Sequence, residues 1–185
     1  MEWLPQLRIG WLNGWLPASL LVIVDAAVFA SLPKDVVKRF WDRSGWKRHQ
    51  IGLTAIGKLL ALAVIVQLIF TPLKVASPML GIGLIIAALG FAGLAQSFRD
   101  FSSTPFGVPV STGIYGFTRH PQILMASLIL LGCVVAVGSW SGVLLLLIAR
   151  VFGHANLVAE EEICLARYGD AYREYLARTR RYFLF

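Results

Sequence analysis

Residues 123–152, ILMASLILLGCVVAVGSWSGVLLLLIARVF, carry a single charged side chain, Arg150. A run this apolar divides into two membrane crossings, Ile123 to Val137 and Val143 to Phe152, joined by the turn Gly138-Ser139-Trp140-Ser141-Gly142. Each is short against the roughly 20 residues that span a bilayer, so the pair is read as tilted or as only just traversing. Two helices joined by so tight a turn return the chain to the face it left. The polar segments on either side of the hairpin, residues 111–122 and 160–175, are thereby brought to one side.

The rest of the chain has the same character. It is 57% hydrophobic and 15% charged, with a mean hydropathy of +0.71, more apolar surface than a soluble domain of 185 residues can hide. The expected class is an all-α, polytopic membrane protein forming one integral-membrane domain over residues 1–185. Its spans are Pro17 to Leu32, Ile51 to Phe70 and Pro78 to Phe98, followed by the two of the hairpin. The first span has no small-residue cleavage site behind it and is read as a retained helix. Gly81, Gly83, Gly90 and Gly93 of the third span point to close helix packing.

Lys34, Lys38, Arg39, Arg43, Lys47 and Arg48 crowd one short loop after Pro33, the strongest cytoplasmic signal in the chain. Counting from it places the N-terminus outside, makes five crossings and brings the C-terminus inside. The loop 99–121 and an amphipathic helix from about Asn156, interrupted at Gly169, then share the cytoplasmic face. The net charge of +7 is topogenic on this reading, because no soluble basic face exists to bind nucleic acid. Cys133 and Cys164 lack metal-ligand spacing, and no metal site is expected.

The chemistry-bearing residues lie in the two polar segments. Glu160, Glu161 and Glu162 point in three directions from a helix, so one or two at most enter a site. They suit the start of an amphipathic helix as well as the grip of a cationic ligand. Pro121 suits a helix first turn, His120 a cap or a catalytic group, and Arg119 a headgroup contact or a site. His154, ionisable at the edge of an apolar span, is a functional candidate by position.

Taken in order, Gly113-Ile114-Tyr115, Arg119-His120-Pro121, the hairpin, Glu161-Glu162 and Tyr168-Gly169-Asp170-Ala171-Tyr172-Arg173-Glu174-Tyr175 resemble the isoprenylcysteine carboxyl methyltransferase and phospholipid N-methyltransferase superfamily. The resemblance covers residues 80–180, most specifically the C-terminal part. It implies a membrane enzyme using S-adenosylmethionine, with its methyltransferase core in residues 99–185. The donor site would take in Gly113, Tyr115, Arg119, His120, Pro121, Glu161, Glu162, Tyr172 and Tyr175, the two tyrosines closing a lid. The acceptor would be a lipophilic molecule entering from the bilayer, a phospholipid amine or a prenyl-type compound, with His154 or Glu161 as base. Membrane lipids are expected partners, and homo-oligomerisation stays open.

Two positions depart from the resemblance. Ile123 stands where Tyr is common, and Asn156 stands where carboxyl methyltransferases carry Arg. The latter favours an amine or neutral nucleophile over a carboxylate. The rival readings are an NADPH-dependent membrane sterol or lipid reductase and a non-enzymatic scaffold whose Gly-rich helices dimerise.

Overall fold

A computed structural model describes residues 1–182 of the chain. The described residues form seven α-helices and one short 3-10 turn, and no strand. They are α1 (Trp15–Ser31), α2 (Lys34–Phe40), α3 (Arg48–Phe70), α4 (Pro78–Ser103), α5 (Pro121–Val137), α6 (Trp140–Tyr168) and α7 (Asp170–Arg178), with the 3-10 turn at Gly113–Gly116. The all-α, polytopic expectation holds. Helices α3, α4 and α6 are long and apolar enough to cross a membrane, and α1 and α5 are shorter apolar helices.

The helix ends follow from local chemistry. Ser77 Oγ accepts from the Met79 N–H at 3.2 Å, and Pro78 occupies the first turn of α4, where its missing N–H costs nothing. Ser139 Oγ accepts from the Gly142 N–H at 3.0 Å and starts α6. Gly138 closes α5 in the left-handed region, at φ 71°. Gly169, at φ 55° and ψ −125°, separates α6 from α7 in a conformation that side chains resist.

Two sequence expectations are corrected here. The fifth crossing does not stop at Phe152, with a separate amphipathic helix from Asn156; both belong to one helix of 29 residues, α6. Its hydrogen-bond ladder does not depend on apolar side chains and runs through the polar stretch without a break. The basic segment after Pro33 is likewise not all loop, since residues 34–40 form α2.

The five apolar helices alternate in direction. The hairpin partners α5 and α6 touch each other less than α5 touches α4 and α6 touches α3. Glycines explain the first pairing. A Cβ on Gly83 would lie 2.4 Å from the Gly132 carbonyl oxygen, and one on Gly132 would lie 2.5 Å from the Ala87 nitrogen. Backbone therefore meets backbone between α4 and α5. The stripe expected to mediate packing is consumed within the chain, which removes the sequence argument for a glycine-driven dimer. Gly81 is the exception and faces open space. At the α3–α6 crossing, a Cβ on Gly57 would stand 3.0 Å from both the Ala149 oxygen and the Gly153 nitrogen.

The alternation gives the bundle two ends. At one, residues 1–14 are knitted to the turns: the Glu2 N–H donates to the Gly138 carbonyl, and the Trp140 N–H donates to the Glu2 carbonyl. The other end collects the start of α3 and α5, the last turns of α4, the polar half of α6, α2 and α7. Phe29, Phe40, Phe98 and Phe101 stack there edge to face and press α2 against the end of α4.

Candidate functional site

Both polar segments converge at this second end around one carboxylate. Glu161 is 6% exposed. Its Oε1 accepts from Arg119 Nη1 at 3.2 Å and Arg181 Nε at 2.9 Å, and Arg181 Nη2 donates to Oε2 at 2.6 Å. His120 Nε2 lies 3.2 Å from the same Oε1, and its Nδ1 lies 3.3 Å from Glu160 Oε2. A ring held between two carboxylates can donate from both nitrogens only as the imidazolium, so this arrangement favours the charged form. Burial, the largest influence, opposes that charge, yet the two carboxylates outweigh it and raise the His120 pKa.

Arg119 and Pro121 act on the frame. Arg119 Nε donates to the Thr179 carbonyl at 2.7 Å and Nη2 to the Leu176 carbonyl at 2.8 Å. The Arg119 N–H donates to the Arg180 carbonyl and Thr118 Oγ1 to the Arg181 carbonyl, so the segment after α7 is laced to the loop before α5. Pro121 is the buried first residue of α5. Gly113 serves the loop: at φ 61°, a Cβ there would strike the Asp100 carboxylate, which instead accepts from the Ile114 N–H at 2.8 Å.

Beside this cluster lies a cavity of about 330 Å³, in the range of small-molecule sites. Tyr115, Arg119, His120, Tyr172 and Tyr175 line it, as the sequence reading grouped them. Burial pushes the Tyr115 hydroxyl pKa well up, so it stays protonated. Tyr175 Oη donates to the Tyr115 carbonyl at 2.8 Å and ties α7 to the 3-10 turn.

Other expected residues stand elsewhere. Gly113, Pro121, Glu161, Glu162 and His154 are absent from the cavity lining. Glu161 organises its wall from behind. Glu162 turns outward to Lys47 Nζ at 2.9 Å and Gln50 Nε2 at 3.2 Å. His154 Nδ1 is held by Tyr182 Oη at 2.7 Å. Of the three glutamates, the one that reaches the cavity is Glu160, which also accepts from Asn156 Nδ2 at 3.0 Å.

Tyr115 apart, the sequence reading missed a second set of lining residues. Five buried side-chain atoms lack a hydrogen-bond partner among the described residues: Trp46 Nε1, Thr54 Oγ1, Tyr115 Oη, Gln122 Nε2 and Arg150 Nε. All five belong to residues lining this cavity. Buried polar atoms are nearly always paired, so five orphans around one cavity mark a place for a polar ligand. No group of His, Cys, Asp and Glu that could hold a metal occurs among the described residues.

The segment between α2 and α3 roofs the cavity with Trp41, Asp42, Arg43 and Trp46. Asp42 pairs with Arg167 of α6, and Lys47 with Glu162. Hydrogen bonds from Ser44, then the Arg167 contact, pull the Asp42 carboxyl pKa down to about 2. Deeper in, the lining passes through Thr54 and Gly57 of α3, Ile123 of α5, and Arg150 and Gly153 of α6. The cavity thus extends from the polar end into the apolar part of the bundle.

The model of the phospholipid methyltransferase family matches residues 66–171, from the end of α3 to the start of α7. That is more than half of the chain, and it takes in the 3-10 turn, the Arg119-His120-Pro121 corner and the acidic stretch of α6. The chain belongs to this family, within the isoprenylcysteine carboxyl and phospholipid type of membrane methyltransferases. No curated protein and no solved structure matches it.

Proposed function

We propose that the protein is an integral-membrane methyltransferase that uses S-adenosylmethionine and methylates a lipophilic acceptor entering from the bilayer, with its site on the cytoplasmic face. The observation that carries this reading is the convergence of all five orphaned polar atoms on one cavity bounded by His120, Glu160 and Tyr172. A hydroxyl- and nitrogen-rich donor fits such a wall. When bound, that donor supplies a methyl group on a sulfonium, released as the carbon–sulfur electron pair returns to sulfur.

The residues divide the work. Glu160 presents a carboxylate to hydroxyl or ammonium groups of the donor, and the His120 imidazolium fixes its direction. Tyr115, Gln122 and Tyr172 supply further polar contacts. Glu161 neutralises the arginines that hold the C-terminal segment over the site. The Trp41–Trp46 roof excludes water, so catalysis comes mainly from position and desolvation. The lining at Thr54, Gly57 and Ile123 reaches into the apolar part of the bundle and suits an acceptor whose chain stays in lipid. The basic segment around α2 lies at the same end as the site, which supports the cytoplasmic placement.

Calorimetric titration of S-adenosylhomocysteine into the detergent-purified protein tests the reading, with NADPH in parallel. Micromolar binding of the first alone, weakened by E160Q in a folded protein, is the expected result. Binding of NADPH alone moves the assignment to a reductase, and binding of neither defeats the site.

A further inference from the structure

The end of the bundle away from the cavity carries a surface that the site does not use. Residues 1–14 cross it before α1 begins, and their large apolar side chains stand outward. Trp3, Leu4, Leu7, Ile9, Trp11 and Leu12 are all exposed, Ile9 and Trp11 to 87% and Leu4 to 85%. Apolar residues scattered singly over a surface need no explanation, but six within the ten residues from Trp3 to Leu12 mark a contact surface.

Hydrogen bonds fix the course of this segment. Buried Asn13 donates through Nδ2 to the Arg8 carbonyl at 2.7 Å and to the Ile69 carbonyl at 3.0 Å. The Arg8 N–H donates to the Phe70 carbonyl, the Gly14 N–H to the Thr71 carbonyl and the Leu73 N–H to the Leu12 carbonyl. The Ser141 N–H donates to the Trp3 carbonyl, and Trp15 Nε1 donates to the Gly10 carbonyl at 3.1 Å. The N–H groups of Leu4, Leu7, Ile9 and Trp11, by contrast, have no backbone partner among the described residues. Backbone left open in this way is not tolerated in hydrocarbon. It suits the headgroup level, where water and ester oxygens accept from it and where tryptophan rings collect.

Continuity and length both point to lipid. Trp140, Leu144, Leu147 and Val151, exposed at helical spacing, form one outward stripe of α6, and the Trp140 ring lies 6.2 Å from that of Trp3. Exposed Leu16, Leu20 and Ile23 of α1 lead back in the same way to Leu12. The segment therefore continues the surface that the bilayer covers. Helices α1 and α5 have 17 residues each, about 25 Å, against a hydrocarbon thickness of about 30 Å. Both end at this segment, and a layer of apolar side chains across those ends makes up the missing height. Little charge opposes this placement. Glu2 is paired with Lys74, which leaves Arg8 as the one charged side chain of the segment without an ion pair among the described residues.

We propose that residues 1–14 are an interfacial anchor lying at the headgroup level of the leaflet opposite the cavity, with their exposed apolar side chains in the upper acyl layer. The occupant of this surface is the lipid itself, held by apolar contact and without need of anionic headgroups. Docked there, the segment fixes the height at which the bundle sits, and with it the level at which the cavity at the other end meets the bilayer. The inference does not rest on the methyltransferase reading. The segment lies outside residues 66–171, so membership of the family does not supply it.

The test places a nitroxide label at L4C, I9C or W11C in a C164S background, where buried Cys133 stays unlabelled. The full chain is reconstituted in nanodiscs of phosphatidylcholine, with and without phosphatidylglycerol. Collisions of each label are then measured with oxygen, which concentrates among acyl chains, and with a nickel chelate, which stays in water. All three labels should favour oxygen in both lipids, while K38C, exposed on α2 at the other end, should favour nickel. Labels at 4, 9 and 11 that favour nickel overturn the proposal. Oxygen preference that appears only with phosphatidylglycerol overturns it in favour of electrostatic attachment through Arg8. Spin–spin broadening that is removed by dilution with unlabelled chain overturns it in favour of a second copy. If the cysteine variants do not fold, the native tryptophans decide. Phosphatidylcholine brominated high on its acyl chains should quench the parent more strongly than the W3F/W11F double variant, and equal quenching of the two overturns the proposal.

Discussion

Arg181 grips Glu161 with two nitrogens, Nε at 2.9 Å and Nη2 at 2.6 Å, across a bend that includes the whole of α7. This fork fixes where the C-terminal segment lies, and Arg119 completes the clamp from the other side. Each adjacent glutamate has a different task as a result, and substitution can separate them.

E161Q removes the charge that balances two arginines and an imidazolium in a site only 6% exposed. Breaking a buried ionic network of this kind costs about 3–5 kcal/mol. E162Q loses an ion pair whose side chains are 57% and 43% exposed, and such pairs are worth about 1 kcal/mol or less. Thermal melts in detergent should show a large fall for the first and almost none for the second. Equal falls would contradict the arrangement.

His120 makes stability depend on pH. Burial alone would lower its pKa; the Glu160 and Glu161 hydrogen bonds raise it above the usual value of about 6.5. With the folded value above the unfolded one, the imidazolium's contribution is complete below about pH 6.5 and is lost as pH rises through the raised value. The melting temperature of the parent should therefore decline on going alkaline, while H120Q, which cannot titrate, should follow a flatter profile. Parallel curves for the two proteins would remove His120 as the source.

The glycine contacts predict an asymmetry within one helix. G83A drives a methyl group to 2.4 Å from the Gly132 oxygen and forces α4 and α5 apart, at a cost of about 1–3 kcal/mol or more. G81A meets nothing within 4 Å and should be neutral. Comparing the two variants by denaturation in mixed micelles isolates backbone contact from helix propensity, which is shared.

The Asp42–Arg167 pair closes the roof to the wall. Because Asp42 has a pKa of about 2 against an ordinary value of 3.8, the contribution of its ionised form is present above the ordinary value and disappears as pH falls through about 2. D42N should leave the fold intact and speed release of S-adenosylhomocysteine by up to about fivefold, the scale of an exposed pair. Rapid dilution of labelled ligand reads the rate, and an unchanged rate would mean that the roof does not gate release.

The crossings were legible because twenty apolar residues in lipid leave the backbone no alternative to a helix. The Arg119-His120-Pro121 corner and the tyrosines of α7 were legible as a local pattern. Which of three consecutive glutamates reaches the cavity was not, since it turns on the rotational phase of α6, which its packing against α3 at Gly57 and Gly153 helps to fix. Trp46, Thr54 and Arg150 belong to no short motif, and only the α3–α6 crossing at Gly57 and Gly153 unites two of them. The end of the fifth span was misplaced because loss of hydropathy at Gly153 and His154 marks a change of surroundings without ending a helix.

The lacing of residues 180 and 181 to residues 118 and 119 sets an order on biosynthesis. Both helices of the hairpin can enter the bilayer while Glu161 still lacks its strongest partner. Until Arg181 has been translated and has swung back across α7, the hairpin can be in place while the segment that Glu161 and Arg119 hold over this end of the bundle is still missing.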